Sequence, residues 1–260
     1  MRAEIDKKFF THAIVRTPTR SFSAGITTAQ LGKPDYKRAI RQHSAYCEVL
    51  KKCGLRIIYL EEEPLYPDAT FVEDTAIIAG KSAIITRLGH SYRRGEEKRV
   101  AEELKKYFNI KVIKAPGTID GGDILRIDNH YYIGISKRTN ENGAKQAARF
   151  LSKEGFSYSF ILVKNILHLK TGVTYIGSKN ILAIEQFAKR NEFKRFNIIV
   201  VPKSEFLAAN CLFVNNNLLI PRGFFKTKKK IQNRGFKSIE IDVSEFQKMD
   251  GGLTCLSILF

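Results

Sequence analysis

The sequence predicts an α/β fold, a propeller of five pseudo-repeated strand-strand-helix-strand units set around a central cavity. Three observations carry this. Short hairpins of apolar strands begin near residues 75, 123, 173 and 211, and a lone strand begins near 254, roughly 38 to 50 residues apart. Segments of helical periodicity fall between them, each followed by one more strand. The last strand has no partner after it but can pair with residues 13–15, which closes the ring. One such unit cannot bury both faces of its small sheet, whereas five around an axis can, with the helices outside. The regular return favours a ring over an ordinary α/β sandwich and predicts one domain over residues 1–260.

In chain order, Tyr36, Ile40, His43, Cys47 and Leu50 stand at helical spacing, Gly54 supplies the stop, and strand 55–60 follows. The first hairpin pairs 75–79 with 82–85 across Gly80 and Lys81. Val100, Leu104, Tyr107 and Phe108 mark its helix, before strand 110–113. The second pairs 123–127 with 130–134 across Asp128 and Asn129; Ala144, Ala147, Ala148 and Leu151 mark the helix, before strand 160–163. The third pairs 173–176 with 181–184, and Ile184, Phe187 and Phe193 suggest a helix ahead of strand 198–201. The fourth pairs 211–214 with 218–220, followed by the weakest helix, around Ile231, and strand 239–243. Residues 254–260 read as the closing strand.

Composition excludes several classes. With 43% hydrophobic and 27% charged residues, the chain can bury enough apolar surface to offset its ordering entropy, so disorder is excluded. No run approaches the length of an uncharged membrane span. Residues 1–10 mix Arg2, Glu4, Asp6, Lys7 and Lys8 without an apolar stretch, so no secretory signal is visible and the cytoplasm is expected. Cys47, Cys53, Cys211 and Cys255 have neither C-x-x-C spacing nor a histidine at zinc-finger spacing, so neither a disulfide framework nor a structural metal is expected. A net charge of +18 raises nucleic acid or an anionic membrane as partners. Yet the basic residues are dispersed, only 226–230 is dense, and no aromatic-basic RNA-binding signature occurs, which disfavours nucleic acid.

The chemistry is predicted at the segments that lead into each hairpin, which converge on the axis of such a ring. They are mostly polar: Glu73-Asp74, Asp120-Gly-Gly-Asp123, His168, Asn210 and Asp250-Gly-Gly-Leu-Thr-Cys255. A cysteine and a histidine brought together this way are a candidate nucleophile and general acid/base. The thiolate is the reactive form, and surrounding carboxylates oppose its ionisation in an empty site. The same carboxylates suit a guanidinium, whose fixed fork of N–H donors they accept bidentately. The inference is a thiol enzyme whose cationic substrate favours the thiolate. Taken singly, a cysteine in an apolar strand is usually core and a Gly-Gly pair usually a turn; recurrence at equivalent places distinguishes this set.

Five motifs, Asp68-Ala-Thr-Phe-Val-Glu-Asp74, Ile119-Asp-Gly-Gly-Asp123, Ile135-Ser-Lys-Arg-Thr-Asn140, His168-Leu-Lys170 and Leu253-Thr-Cys255, resemble those of the dimethylarginine dimethylaminohydrolases. These are pentein-fold enzymes of the guanidino-group-modifying superfamily, and the likeness runs from about His12 to Phe260. It implies Cys255 as nucleophile, His168 as general acid/base and Asp120 as the acid that orients the imidazole. It implies substrate contacts by Asp68, Glu73 and Asp74, with Asp74 on the guanidinium, and by Arg93 and Arg138, whose bidentate geometry suits an α-carboxylate. Met249, by its backbone carbonyl, and Asp250 are expected beside the nucleophile, and Ile26 on a lid spanning 17–34. The implied reaction is hydrolysis of methylated arginine to citrulline through a thiouronium on Cys255. No cofactor or metal is expected, although Zn²⁺ could be captured by Cys255 and His168 as an inhibitor. The partner is a small guanidinium compound, with no membrane, and a homo-oligomer is left open. The alternatives are an arginine deiminase-like or citrulline-hydrolysing activity at the same Cys/His site and, in a different class, a non-catalytic basic nucleic-acid-binding module.

Overall fold

A computed structural model describes residues 10–260; residues 1–9, which carry most of the N-terminal charge pattern, lie outside them. The strands are β1 (His12–Arg16), β2 (Arg56–Leu60), β3 (Ala76–Ala79), β4 (Ser82–Ile85), β5 (Asn109–Val112), β6 (Ile124–Ile127), β7 (His130–Ile135) and β8 (Ser157–Leu162). Then follow β9 (Val173–Tyr175), β10 (Asn180–Ala183), β11 (Asn197–Val200), β12 (Leu212–Val214), β13 (Asn217–Pro221), β14 (Ser238–Ile241) and β15 (Ile258–Leu259). The helices are α1 (Tyr36–Lys52), α2 (Glu97–Leu104), α3 (Glu141–Lys153), α4 (Leu169–Gly172), α5 (Glu185–Ala188), α6 (Phe225–Asn233) and α7 (Ser244–Gln247).

Among the described residues the strands form five three-stranded sheets, ordered β3-β4-β5, β6-β7-β8, β11-β10-β9, β12-β13-β14 and β15-β1-β2. In each, the middle strand pairs antiparallel with one neighbour and parallel with the other, as in β7 with β6 and β8. The closing strand pairs with the N-terminal one as expected, with Ala13 opposite Leu259 and Ile14 opposite Ile258. The core is divided the same way. Among the described residues five hydrophobic clusters each draw on adjacent units; one joins Ile77 and Ile84 to Ile124 and Tyr131, and another joins Ile14 and Ile258 to Ala83 and Val100. Every unit thus buries its faces against two neighbours, the physical reason that five close where one would not fold. This is the pentein α/β propeller.

Several elements depart from the sequence pattern. The buried face of α1 is Ala39, Gln42, His43, Tyr46, Cys47 and Leu50, and Ile40 is only half-buried. Helix α2 stops at Leu104, leaving Tyr107 and Phe108 beyond it. Phe187 and Phe193 occupy two separate single turns in the connection from β10 to β11, which is shorter than the other four parallel crossovers. Residues 254–256 form a 3-10 turn, not strand: Cys255 N–H bonds back to Gly252 O at 3.3 Å, and ladder pairing begins only at Ile258.

Candidate active site

One hollow at the ring axis is lined by Ile26, Asp68, Phe71, Asp74, Arg93, Arg138, Leu167, His168, Met249, Asp250, Gly251 and Cys255, and holds about 310 Å³ of empty space with its mouth included. Asp74, His168 and Cys255 come from hairpin lead-ins, while Ile26, Arg93 and Arg138 follow the C-terminal ends of β1, β4 and β7. Nine of the eleven residues singled out above meet here. Asp120 lies behind the hollow. Glu73 faces a different one.

Asp120, fully buried, accepts the Gly89 N–H at 2.8 Å on Oδ1 and stands 3.1 Å from His168 Nε2 through Oδ2, which fixes the ring. Asp123 locks the next residue. Its Oδ1 accepts the Leu169 N–H at 2.9 Å, and its Oδ2 accepts the hydroxyls of Ser136 and Thr139, each at 2.6 Å. Burial pushes that carboxyl up to about 6 even so. Asp74 accepts Arg93 Nη1 at 2.8 Å and the Gly122 N–H at 2.9 Å. Burial works against its ionisation, but His168 and Arg93 outweigh it and hold Asp74 at about 2, so it is a carboxylate at any ordinary pH. Gly122 permits this meeting: a Cβ there would sit 2.7 Å from His168 Nδ1 and 2.9 Å from Asp74 Oδ1.

The nucleophile candidate rests in the empty state as a thiol. Burial, then Glu73 and Asp74, pushes Cys255 up to about 12. Burial disfavours the His168 imidazolium, but Asp74, the bond to Asp120 and Asp123 bring it to about 9. These shifts place a thiol beside an imidazolium at pH 7. A cation beside the sulfur reverses the balance. Alkylation of Cys255 by iodoacetamide, followed by peptide mapping, should rise about tenfold per pH unit from 7 to 9. A rate that is flat with pH would contradict this electrostatic picture.

The two arginines differ. Arg93 lines the hollow, but its Nε and Nη2 face Glu96, at 3.1 and 2.9 Å, so its bidentate edge is already occupied. Arg138 keeps a free donor: its buried Nη1 makes no hydrogen bond among the described residues, and Asp120 Oδ2 is 3.9 Å away. Glu96 was not signalled by any motif, although the Arg93-x-x-Glu96 spacing would have suited a local pair.

Residues 26–28 of the segment expected to be a lid are held against the hollow. Both oxygens of Asp68 receive the Ile26 N–H, at 3.2 and 3.0 Å. The Thr27 hydroxyl donates to Lys248 O at 2.9 Å, and that of Thr28 to Asp250 Oδ2 at 3.0 Å. Asp250 therefore holds the lid as well as lining the hollow. Glu73 instead lines a larger hollow, where its carboxylate accepts Lys170 Nζ at 2.5 Å and the Thr254 hydroxyl at 2.8 Å. Among the described residues, the side-chain donor atoms that gather within 4.8 Å of one another as a metal would require belong to Asp74, Asp120 and His168, without Cys255.

A five-unit ring with a cysteine, a histidine and carboxylates at its axis defines a pentein of the guanidino-group-modifying superfamily. The family described as N,N dimethylarginine dimethylhydrolase, eukaryotic, matches residues 27–257. The dimethylarginine dimethylaminohydrolase of Pseudomonas aeruginosa is 44% identical over 253 residues, 96% of this chain and 100% of that one. The chain belongs to the dimethylarginine dimethylaminohydrolase family. The crystal structure of a Cys-to-Ser mutant of the Pseudomonas aeruginosa enzyme complexed with citrulline is similar at a TM-score of 0.95 and 42% identity, covering 97% of this chain and 100% of that one. A His-to-Gly dimethylarginine dimethylaminohydrolase adduct with S-methyl-L-thiocitrulline gives a TM-score of 0.94 at 42% identity and the same coverage.

Proposed function

We propose that the protein hydrolyses Nω-methylated L-arginine, asymmetric dimethylarginine or monomethylarginine, to citrulline and dimethylamine or methylamine. The observation that carries this is the single hollow in which Cys255 and His168 share a wall with a permanently ionised Asp74. Asp74 accepts the guanidinium N–H groups, and the arriving positive charge lets the Cys255 thiol release its proton to solvent and become a thiolate. The sulfur attacks the guanidinium carbon, forming a C–S bond. The C–N bond to the methylated nitrogen breaks as the His168 imidazolium gives that nitrogen its proton. A thiouronium remains on Cys255. Neutral His168 then takes a proton from water, whose oxygen attacks the same carbon; the C–S bond breaks as the hydroxyl proton of the tetrahedral species passes to the departing sulfur, which restores the thiol and the imidazolium and releases citrulline. Arg138, with its unengaged Nη1, and the remaining donor of Arg93 hold the α-carboxylate, while the Asp68-anchored lid excludes bulk water. The adducts and complexes of the similar enzymes support this reading.

The test is kcat/KM for asymmetric dimethylarginine, monomethylarginine, arginine and citrulline. The methylated substrates should exceed the other two by at least about tenfold. Arginine as the best substrate would make this a deiminase instead. The lid makes a separate prediction. A Cβ at Gly25 would lie 2.5 Å from Asp68 Oδ1 and 3.0 Å from Met249 Cε, so Gly25→Ala has to displace the Asp68 carboxylate that holds Ile26 or the segment itself. It should raise KM for the methylated substrate roughly tenfold while leaving the melting temperature within a few degrees; an unchanged KM would show that closure is not coupled to binding.

A further inference from the structure

Arg93 is the most constrained cation beside the hollow, and Glu96 does most of the constraining. The Glu96 side chain is 1% exposed and that of Arg93 5%. Glu96 Oε1 and Oε2 accept Arg93 Nε at 3.1 and 3.2 Å, and Oε2 accepts Nη2 at 2.9 Å. Asp74 takes Nη1 at 2.8 Å, and Phe71 O stands 3.5 Å from Nη2. A guanidinium has five N–H groups. With these contacts made, one Nη1 N–H is left to point into the hollow, and a planar group held along two edges cannot swing a second donor round. Glu96 is itself held: its N–H donates to Arg93 O at 3.1 Å, and the fully buried Arg16 lies 3.5 Å from its backbone oxygen through Nη1.

We infer that Glu96 is a positioning residue that aims the last free donor of Arg93 at the substrate's α-carboxylate and so sets the preference for amino-acid substrates over guanidines that lack this group. The inference rests on the reading of Arg93 and Arg138 as the carboxylate anchor. Without Glu96, the Nε–Nη2 edge of Arg93 is freed and can turn toward Asp74 or Asp68, withdrawing the donor from the substrate. Asp74 keeps the Gly122 N–H and remains beside the Arg93 cation, and His168 keeps Asp120, so the loss falls mainly on binding of the carboxylate end and not on the chemical step.

The experiment compares wild type with Glu96→Gln, a variant of nearly the same shape, on monomethylarginine and on the corresponding methylguanidine without the carboxylate (methylagmatine). Wild type should strongly prefer the amino acid. In the variant, KM for monomethylarginine should rise about 10- to 100-fold with kcat within about threefold, and kcat/KM for methylagmatine should stay within about threefold, because only the carboxylate contact is weakened. If Glu96→Gln fails to fold, Glu96→Asp, which keeps the charge but cannot span Nε and Nη2, should give the same split. An unchanged KM, or equal losses on both substrates, overturns the positioning role. A wild type that does not distinguish the two compounds overturns the carboxylate anchor itself, and that failure is visible before any variant is made.

Discussion

Cys255→Ser should turn over asymmetric dimethylarginine at least about a thousandfold more slowly than wild type, because the reaction loses its covalent route. The hollow already raises the Cys255 thiol to about 12 through burial and the charges of Glu73 and Asp74. A serine hydroxyl ionises far less readily than a thiol to begin with, and the same surroundings would act on it in the same direction. A bound guanidinium can make a thiolate accessible here, but not an alkoxide. Binding should survive, since Asp74, Arg93 and Arg138 are untouched; calorimetric titration of the variant with substrate should give a Kd within about tenfold of the wild-type KM. Citrulline release at even a tenth of the wild-type rate would remove Cys255 from the mechanism.

His168→Asn should be nearly as damaging, at about 10²- to 10⁴-fold in kcat, because one imidazole serves both halves of the reaction. Raised to about 9, His168 is protonated when substrate arrives and can supply the proton that a methylated amine needs to depart. It is then a neutral base for the attacking water. Changing the leaving group separates the two roles. S-methyl-thiocitrulline loses methanethiol, which departs without a strong acid, so the variant should still load Cys255. The adduct should accumulate by mass spectrometry and decay slowly, since water lacks its base. A variant that hydrolyses this compound as fast as wild type would show that residue 168 takes no proton from water.

Much of this protein was readable in advance, and the reason is that its repeat is written in local signals. Apolar strands broken by turn residues declare themselves. Gly80, Asp128, Asn215 and Asn216 all adopt positive φ in the hairpin turns, where glycine, aspartate and asparagine are tolerated best. Helix α3 was legible because Ala144, Ala147, Ala148 and Leu151 keep one face buried. The closing strand was overextended for an equally local reason. An apolar stretch such as 254–260 does not reveal that Cys255 turns back on Gly252 before the ladder starts.

The lines of chain running to the axis, with Cys255, His168 and the carboxylates at their ends, were determined by residue type, spacing and family resemblance. Which way each group faces was not. Glu73 and Asp74 are neighbours in sequence, yet Asp74 meets Gly122 and His168 in the small hollow while Glu73 meets Lys170 and Thr254 in the large one. Arg93 was expected to offer a bidentate edge, but Glu96 fills it. Charged residues crowd 93–99, and no local rule says which pair will be buried. Only the closed ring decides, because a buried charge must take whatever partner the packed units bring within hydrogen-bond reach, from one turn away or from the other end of the chain.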